Sequence, residues 1–118
     1  IGSAFIATTE ANAEQDYKQA IVDCGADDII YSNLFTGIHG NYLRPSIENA
    51  GLDPNNLPVS DPSAMNFGSG GGSDAKAWKD IWGSGQGIGA VKHIGTTADY
   101  VAKLKLEYNA AKQRVLSA

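Results

Sequence analysis

The chain has 118 residues, of which 42% are apolar and 19% charged, with a formal net charge of -4. That is the balance of one ordinary globular domain, long enough to bury a core of its own. No apolar run approaches the roughly 18 residues of a membrane span, and no basic lead followed by an apolar stretch marks a signal peptide. An acidic balance without a basic face argues against a nucleic-acid binder. The single cysteine, Cys24, cannot form an internal disulfide and suits a reducing, cytoplasmic compartment.

Ile1-Gly2-Ser3-Ala4-Phe5-Ile6 enters directly into an apolar segment that reads as the end of a buried strand. A strand there needs neighbours to pair with, so either processing has removed the start or the chain is expected to be a piece of something larger. Asn12 is placed to cap a helix through Tyr17, Ile21 and Val22, with Gly25 ending it in a left-handed conformation. Asp28 to Phe35 is rich in β-branched and aromatic residues and reads as a short strand or extended segment. A turn over Thr36 to Gly40 leads to a short helix, Asn41 to Ala50, with Pro45 in its first turn.

From Gly51 to Ser73, Pro54, Pro58, Pro62 and a Gly/Ser run predict an irregular hinge or surface loop. Asp74 to Trp82 predicts a short helix with Ala77, Trp78, Ile81 and Trp82 on one face. Thr96-Thr97-Ala98-Asp99 then reads as a capping box. Val101, Leu104, Tyr108, Ala111 and Val115 follow at spacings of three and four, predicting an amphipathic helix of about five turns. Lys103, Lys105, Lys112 and Arg114 fall on or beside its wet face and complement the helix dipole.

The Gly excess invites phosphate chemistry. Gly85-Gln86-Gly87-Ile88-Gly89-Ala90 matches the letters of a dinucleotide fingerprint, with Glu107 at the distance of a ribose carboxylate. The fingerprint requires a strand before it and a helix after it, and no such unit surrounds the motif. The stretch from Gly68 to Lys76 lacks the Gly-Lys-Ser/Thr ending of a phosphate loop. His39 and His93 are isolated in sequence and do not form a metal-ligand pattern. Cys24 has no basic neighbour to activate it and reads as a packed, inert thiol. No nucleophile elbow is present. Gly2-Ser3 remains: a glycine and a hydroxyl residue after an apolar strand offer backbone N–H groups and one side-chain donor, the makings of a phosphate turn.

Three segments resemble a known family. Ile1-Gly2-Ser3-Ala4-Phe5-Ile6-Ala7-Thr8-Thr9-Glu10 is similar to the Met-Gly-Thr-Arg-Phe-Ile-Ala-Thr-x-Glu segment of the nitronate monooxygenases, formerly called 2-nitropropane dioxygenases. Leu34-Phe35-Thr36-Gly37 resembles the family's Phe-Thr-Gly segment, and Ile81-Trp82-Gly83-Ser84-Gly85-Gln86-Gly87 resembles its C-terminal Gly-rich loop ahead of a last helix. The three occur in the family's order and together span nearly the whole chain.

The resemblance implies an α/β fold, the C-terminal part of an FMN-binding (β/α)8 barrel, itself mostly helical with one or two short strands and long loops. Residues 1–10 would be the last barrel strand and phosphate turn, 11–95 an added lobe with Gly-rich loops, and 96–118 a terminal helix on the barrel exterior. Gly2 and Ser3 would bind the FMN phosphate, and Gly83, Ser84, Gly85, Gln86 and Gly87 would lie near the flavin. Phe35-Thr36-Gly37 would belong to the lobe beside the active site. The activity implied is oxidation of an alkyl nitronate with dioxygen, the fragment being inactive without the rest of the barrel. The family's Gly-Gly phosphate loop and catalytic histidine have no counterpart in these residues. Phe35-Thr36-Gly37 continues as Ile38-His39-Gly40-Asn41-Tyr42 where bacterial members have Arg-Pro-Ala-Arg, so His39 is not assigned as the base. The alternative is a non-catalytic helical module binding a protein partner through Tyr42, Trp78 and Trp82.

Overall fold

The computed structural model describes residues 1–59 and 79–118. The expectations for 60–73, and for Ala77 and Trp78 on a helical face, lie outside the described residues.

The chain opens with a helix, α1 (Gly2–Ile6), where a strand end was expected. Among the described residues, the sheet holds two strands and neither comes from this segment. A lone strand would leave its N–H and C=O groups unpaired, whereas a helical turn pairs them internally. Strand-like pairing within residues 1–10 is confined to Thr8, which bridges Gly95 in parallel. The Thr9 N–H donates to the Gly95 carbonyl at 2.9 Å.

The second helix, α2 (Gln15–Asp23), starts two residues later than the Asn12 cap implied, with Glu14 at the cap position and no side-chain cap bond. It turns Tyr17, Ala20 and Ile21 to the core. Gly25 is not left-handed. Its φ is -130°, because the chain leaves α2 extended and enters a 3-10 turn, Ala26–Asp28, at once. The Asp28 carboxylate accepts from the Gly25 N–H at 2.9 Å.

The strands are β1 (Ile29–Ser32) and β2 (Gly40–Leu43), antiparallel, with Ile29 opposite Leu43 and Ser32 opposite Gly40. β1 stops three residues short of Phe35, since the Ser32 hydroxyl accepts from the Leu34 N–H at 3.1 Å and bends the chain away. The connecting loop reverses at Gly37, whose φ of +82° suits a residue without a Cβ. Residues 41–43, expected as helix, are strand. The third helix, α3 (Arg44–Asn49), begins after them and carries Pro45 in its first turn as expected. It closes on Gly51 (φ +84°) with the Leu52 N–H reaching back to the Ile47 carbonyl at 3.2 Å, a left-handed C-terminal cap.

Helical backbone after the undescribed segment reaches only Asp80. Trp82–Ser84 is extended instead, along the free edge of β2: the Leu43 N–H donates to the Trp82 carbonyl at 2.8 Å and the Ser84 N–H to the Asn41 carbonyl at 3.1 Å. An unpaired sheet edge outweighs local helix preference here. A 3-10 turn over Gln86–Ala90 follows.

The core is small and alanine-rich: Ala4, Ala7, Ala20, Ile21, Cys24, Leu43, Ile88 and Val91. The last helix, α4 (Thr97–Leu116), has the expected cap, with the Thr96 hydroxyl accepting from the Asp99 N–H at 3.0 Å. Tyr100 is the residue of α4 packed against that core, and its ring meets Phe5 edge-on at 5.1 Å. No residue of α4 is buried. Helices with a two-stranded sheet are compatible with an α/β class. Among the described residues, no helix is long and apolar enough to cross a membrane.

Candidate functional site

Two segments far apart in sequence meet at the start of α1. The Ser3 hydroxyl oxygen accepts from the Gly85 N–H at 2.8 Å, across 82 residues. A hydroxyl used as acceptor still has its own proton to donate. The N–H groups of Gly2 and Ser3 lie in the first turn of α1, before any intrahelical acceptor is in reach. Gly2 is exposed, and a Cβ built on it would meet nothing within 4 Å. The donor set fits an anionic oxygen group such as a phosphate.

The other residues of the Gly-rich segment divide between structural and exposed positions. Gly83 bridges Tyr42 of β2, and its carbonyl accepts from the Tyr17 hydroxyl. Ser84 is buried, and its hydroxyl donates to the Gly85 carbonyl at 3.1 Å, so it is committed within the loop. Gln86 and Gly87 are exposed in the 3-10 turn. Thus Ser3 and Gly85 are joined directly, Gly83 and Ser84 hold the loop in place, and Gln86 and Gly87 face solvent.

Beside Gly83 opens a cleft of about 450 Å³. Tyr17 and Trp82 line it as a near-parallel stack, centroids 5.1 Å apart and planes 5° from parallel. Phe35 and Tyr42 line it as an edge-to-face pair at 5.0 Å and 70°. Tyr42 and Trp82 are therefore half-buried walls of a cleft rather than an exposed binding face. Burial raises the Tyr17 pKa above its ordinary value, keeping the phenol protonated as donor to Gly83. Sequence reasoning placed Tyr17 only within a helix. Its part in the cleft depends on a partner 66 residues away, which no local pattern announces.

Glu10 was also missed. Its carboxylate accepts from the Thr97 N–H at 2.8 Å, at the N-terminus of α4. Its pKa falls to about 2, held down by the Thr9 hydroxyl first and then by Thr97. Cys24 is buried, which raises its thiol pKa, with Asp28 and Asp23 adding to the rise. His39 stacks on Tyr31 at 4.6 Å and stands apart from the cleft. Among the described residues, no three potential metal ligands cluster.

No family model, no curated protein and no solved structure matches the chain.

Proposed function

We propose that the chain is the C-terminal part of an FMN-dependent oxidoreductase of the nitronate monooxygenase type, built on a (β/α)8 barrel. The observation that carries this reading is the Ser3–Gly85 hydrogen bond. It unites the two segments that the family resemblance assigns separately to the cofactor. A helix begins at the Gly-Ser dipeptide, leaving Gly2 and Ser3 N–H groups and the Ser3 hydroxyl proton for an anion. Such donors would supply part of a phosphate grip.

When bound, FMN would supply the redox chemistry, taking electrons from a nitronate and passing them to dioxygen, with a carbonyl compound and nitrite as products. The residues of this chain would bind and position. Gly2 and Ser3 would hold the phosphate, with Gly85 orienting the Ser3 hydroxyl. Gly83 and Ser84, tied to β2, would fix the loop whose exposed Gln86 and Gly87 complete the surround. Asp and Glu are absent from the Gly83–Ala90 loop, so no fixed negative charge in it opposes the phosphate. The base that activates substrate would come from the remainder of the barrel, and the exposed apolar stripe of α4 would pack on the barrel exterior. The setting is cytoplasmic.

The test uses the full-length protein that carries this chain. It should purify yellow, release nitrite from ethane nitronate and consume dioxygen in step. Ser3→Asp would set a carboxylate against the phosphate and lower flavin occupancy. A colourless protein that neither takes up FMN nor oxidises a nitronate would end the proposal.

A further inference from the structure

We infer that the cleft bounded by Tyr17, Trp82, Phe35 and Tyr42 receives a planar aromatic group, and that the substrate is accordingly an aryl-bearing nitronate. The identity of the reacting head rests on the oxidoreductase reading; the binding of the ring does not.

Four aromatic rings line one cleft of about 450 Å³, within the size range of small-molecule sites. They come from separate elements: α2, the hairpin loop, β2 and the extended segment beside it. Ile81, buried, adds an aliphatic wall. Aromatic rings attract another ring through offset and edge-on contacts that a saturated group of the same size does not make. Two of the four are already paired in each of those geometries.

Two of the lining hydroxyls are turned to the backbone rather than to the cleft. The Tyr17 hydroxyl is committed to the Gly83 carbonyl, so this ring offers its hydrocarbon surface. The Thr36 hydroxyl is committed to Ile38, donating to its carbonyl at 2.9 Å. Trp82 is held from both sides of its backbone, its N–H donating to the Ser46 hydroxyl at 3.1 Å and its carbonyl accepting from Leu43. A wall fixed in advance loses little freedom when a ligand stacks on it. Charge enters through Lys79 and Glu14. Lys79 is the cationic side chain among the described lining residues, and an anionic head would sit on its side and away from Glu14.

The experiment compares benzoate, an aryl anion with no oxidisable nitronate, with cyclohexanecarboxylate, its saturated counterpart. Titration calorimetry on the full-length protein, as purified, should show benzoate binding about fivefold tighter. Phe35→Leu should remove most of that preference, leaving cyclohexanecarboxylate little changed. Lys79→Gln, at an exposed position, should weaken both ligands alike. In turnover, phenylmethane nitronate should have a higher kcat/KM than ethane nitronate, the advantage shrinking in Phe35→Leu. Equal affinity for the two carboxylates, or a preference untouched by Phe35→Leu, overturns the inference. Ethane nitronate oxidised as well as the aryl substrate overturns the substrate assignment and spares the oxidoreductase reading. Benzoate preference without any nitronate turnover does the reverse, upholding the cleft and ending that reading.

Discussion

The body of the molecule and its last helix stand in opposite relation to their sequences. In the body, weak and scattered signals end in tight packing: Leu43 is 0% exposed, enclosed by β1, the Trp82–Ser84 segment and α2. In α4, the clearest periodicity in the chain ends in exposure, with Val101 50%, Tyr108 70% and Val115 76% accessible. A regular apolar stripe reports that a helix has a face to bury, not that the burying partner is at hand. On the barrel reading, that partner is the exterior of the remaining barrel.

The largest expected effect tests the body. Leu43→Ala should cost about 3 kcal/mol, the range for deleting an enclosed core side chain. Denaturant unfolding measures it. A loss under about 1 kcal/mol would mean that the body is no better packed than α4, and the contrast would dissolve.

The next effect belongs to the cofactor proposal. Ser3→Asp should weaken FMN binding by about tenfold or more, which is about 1.4 kcal/mol, read as flavin retained by the full-length protein on dilution. Unchanged retention removes Gly2 and Ser3 from the site. Thr96→Ala comes third. Losing the hydroxyl that accepts from Asp99 should cost α4 about 1 kcal/mol. Because the rest of α4 hardly touches the core, the loss should appear as faster amide exchange within the helix and leave the body's exchange unaltered.

That division follows from what was legible in the sequence. The start of α4 was readable because its cap and spacing are local, and Pro45 marked the first turn of α3 for the same reason. Residues 41–43 were not, because their strand state is conferred by β1 on one side and Trp82–Ser84 on the other. Ile1–Ile6 has strand-like composition, yet it forms a helix where, among the described residues, no strand lies beside it. Gly25 looked like a helix-ending glycine, but the left-handed cap falls at Gly51. Of the site, Gly2 and Ser3 were readable as a phosphate turn, Gly83 to Gly87 were named from resemblance, and the Ser3–Gly85 contact between them was invisible. The Tyr17–Gly83 and Glu10–Thr97 contacts are equally long-range, so only folding reveals them.

Glu10 gives a pH test of the junction between the two regions. Its pKa in the folded chain, about 2, lies below the ordinary glutamate value of about 4.3. A depressed pKa means that its contribution is complete above about 4.3 and is lost as pH falls toward 2. The Thr97 amide shift should therefore titrate with a midpoint near 2 in the native chain, and Glu10→Gln should abolish that titration. The group is exposed, so the effect on stability is small and shrinks with salt. A midpoint at the ordinary value would show that the carboxylate does not hold the start of α4.

The smallest effect bears on the contrast most directly. Val115→Ala removes two methyl groups that are 76% exposed, so stability of this chain should change by less than about 0.5 kcal/mol. Ala also has the higher helix propensity, which offsets part of even that loss. On the barrel reading, the same substitution in the full-length protein should cost about 1 kcal/mol or more, because a covered valine loses the hydrophobic contribution that an exposed one never had. Paired denaturant melts of the two proteins read the difference. Equal, negligible losses would leave the stripe of α4 bare in both and would count against its packing on a barrel, while a larger loss in the full-length protein alone would locate its partner outside these residues.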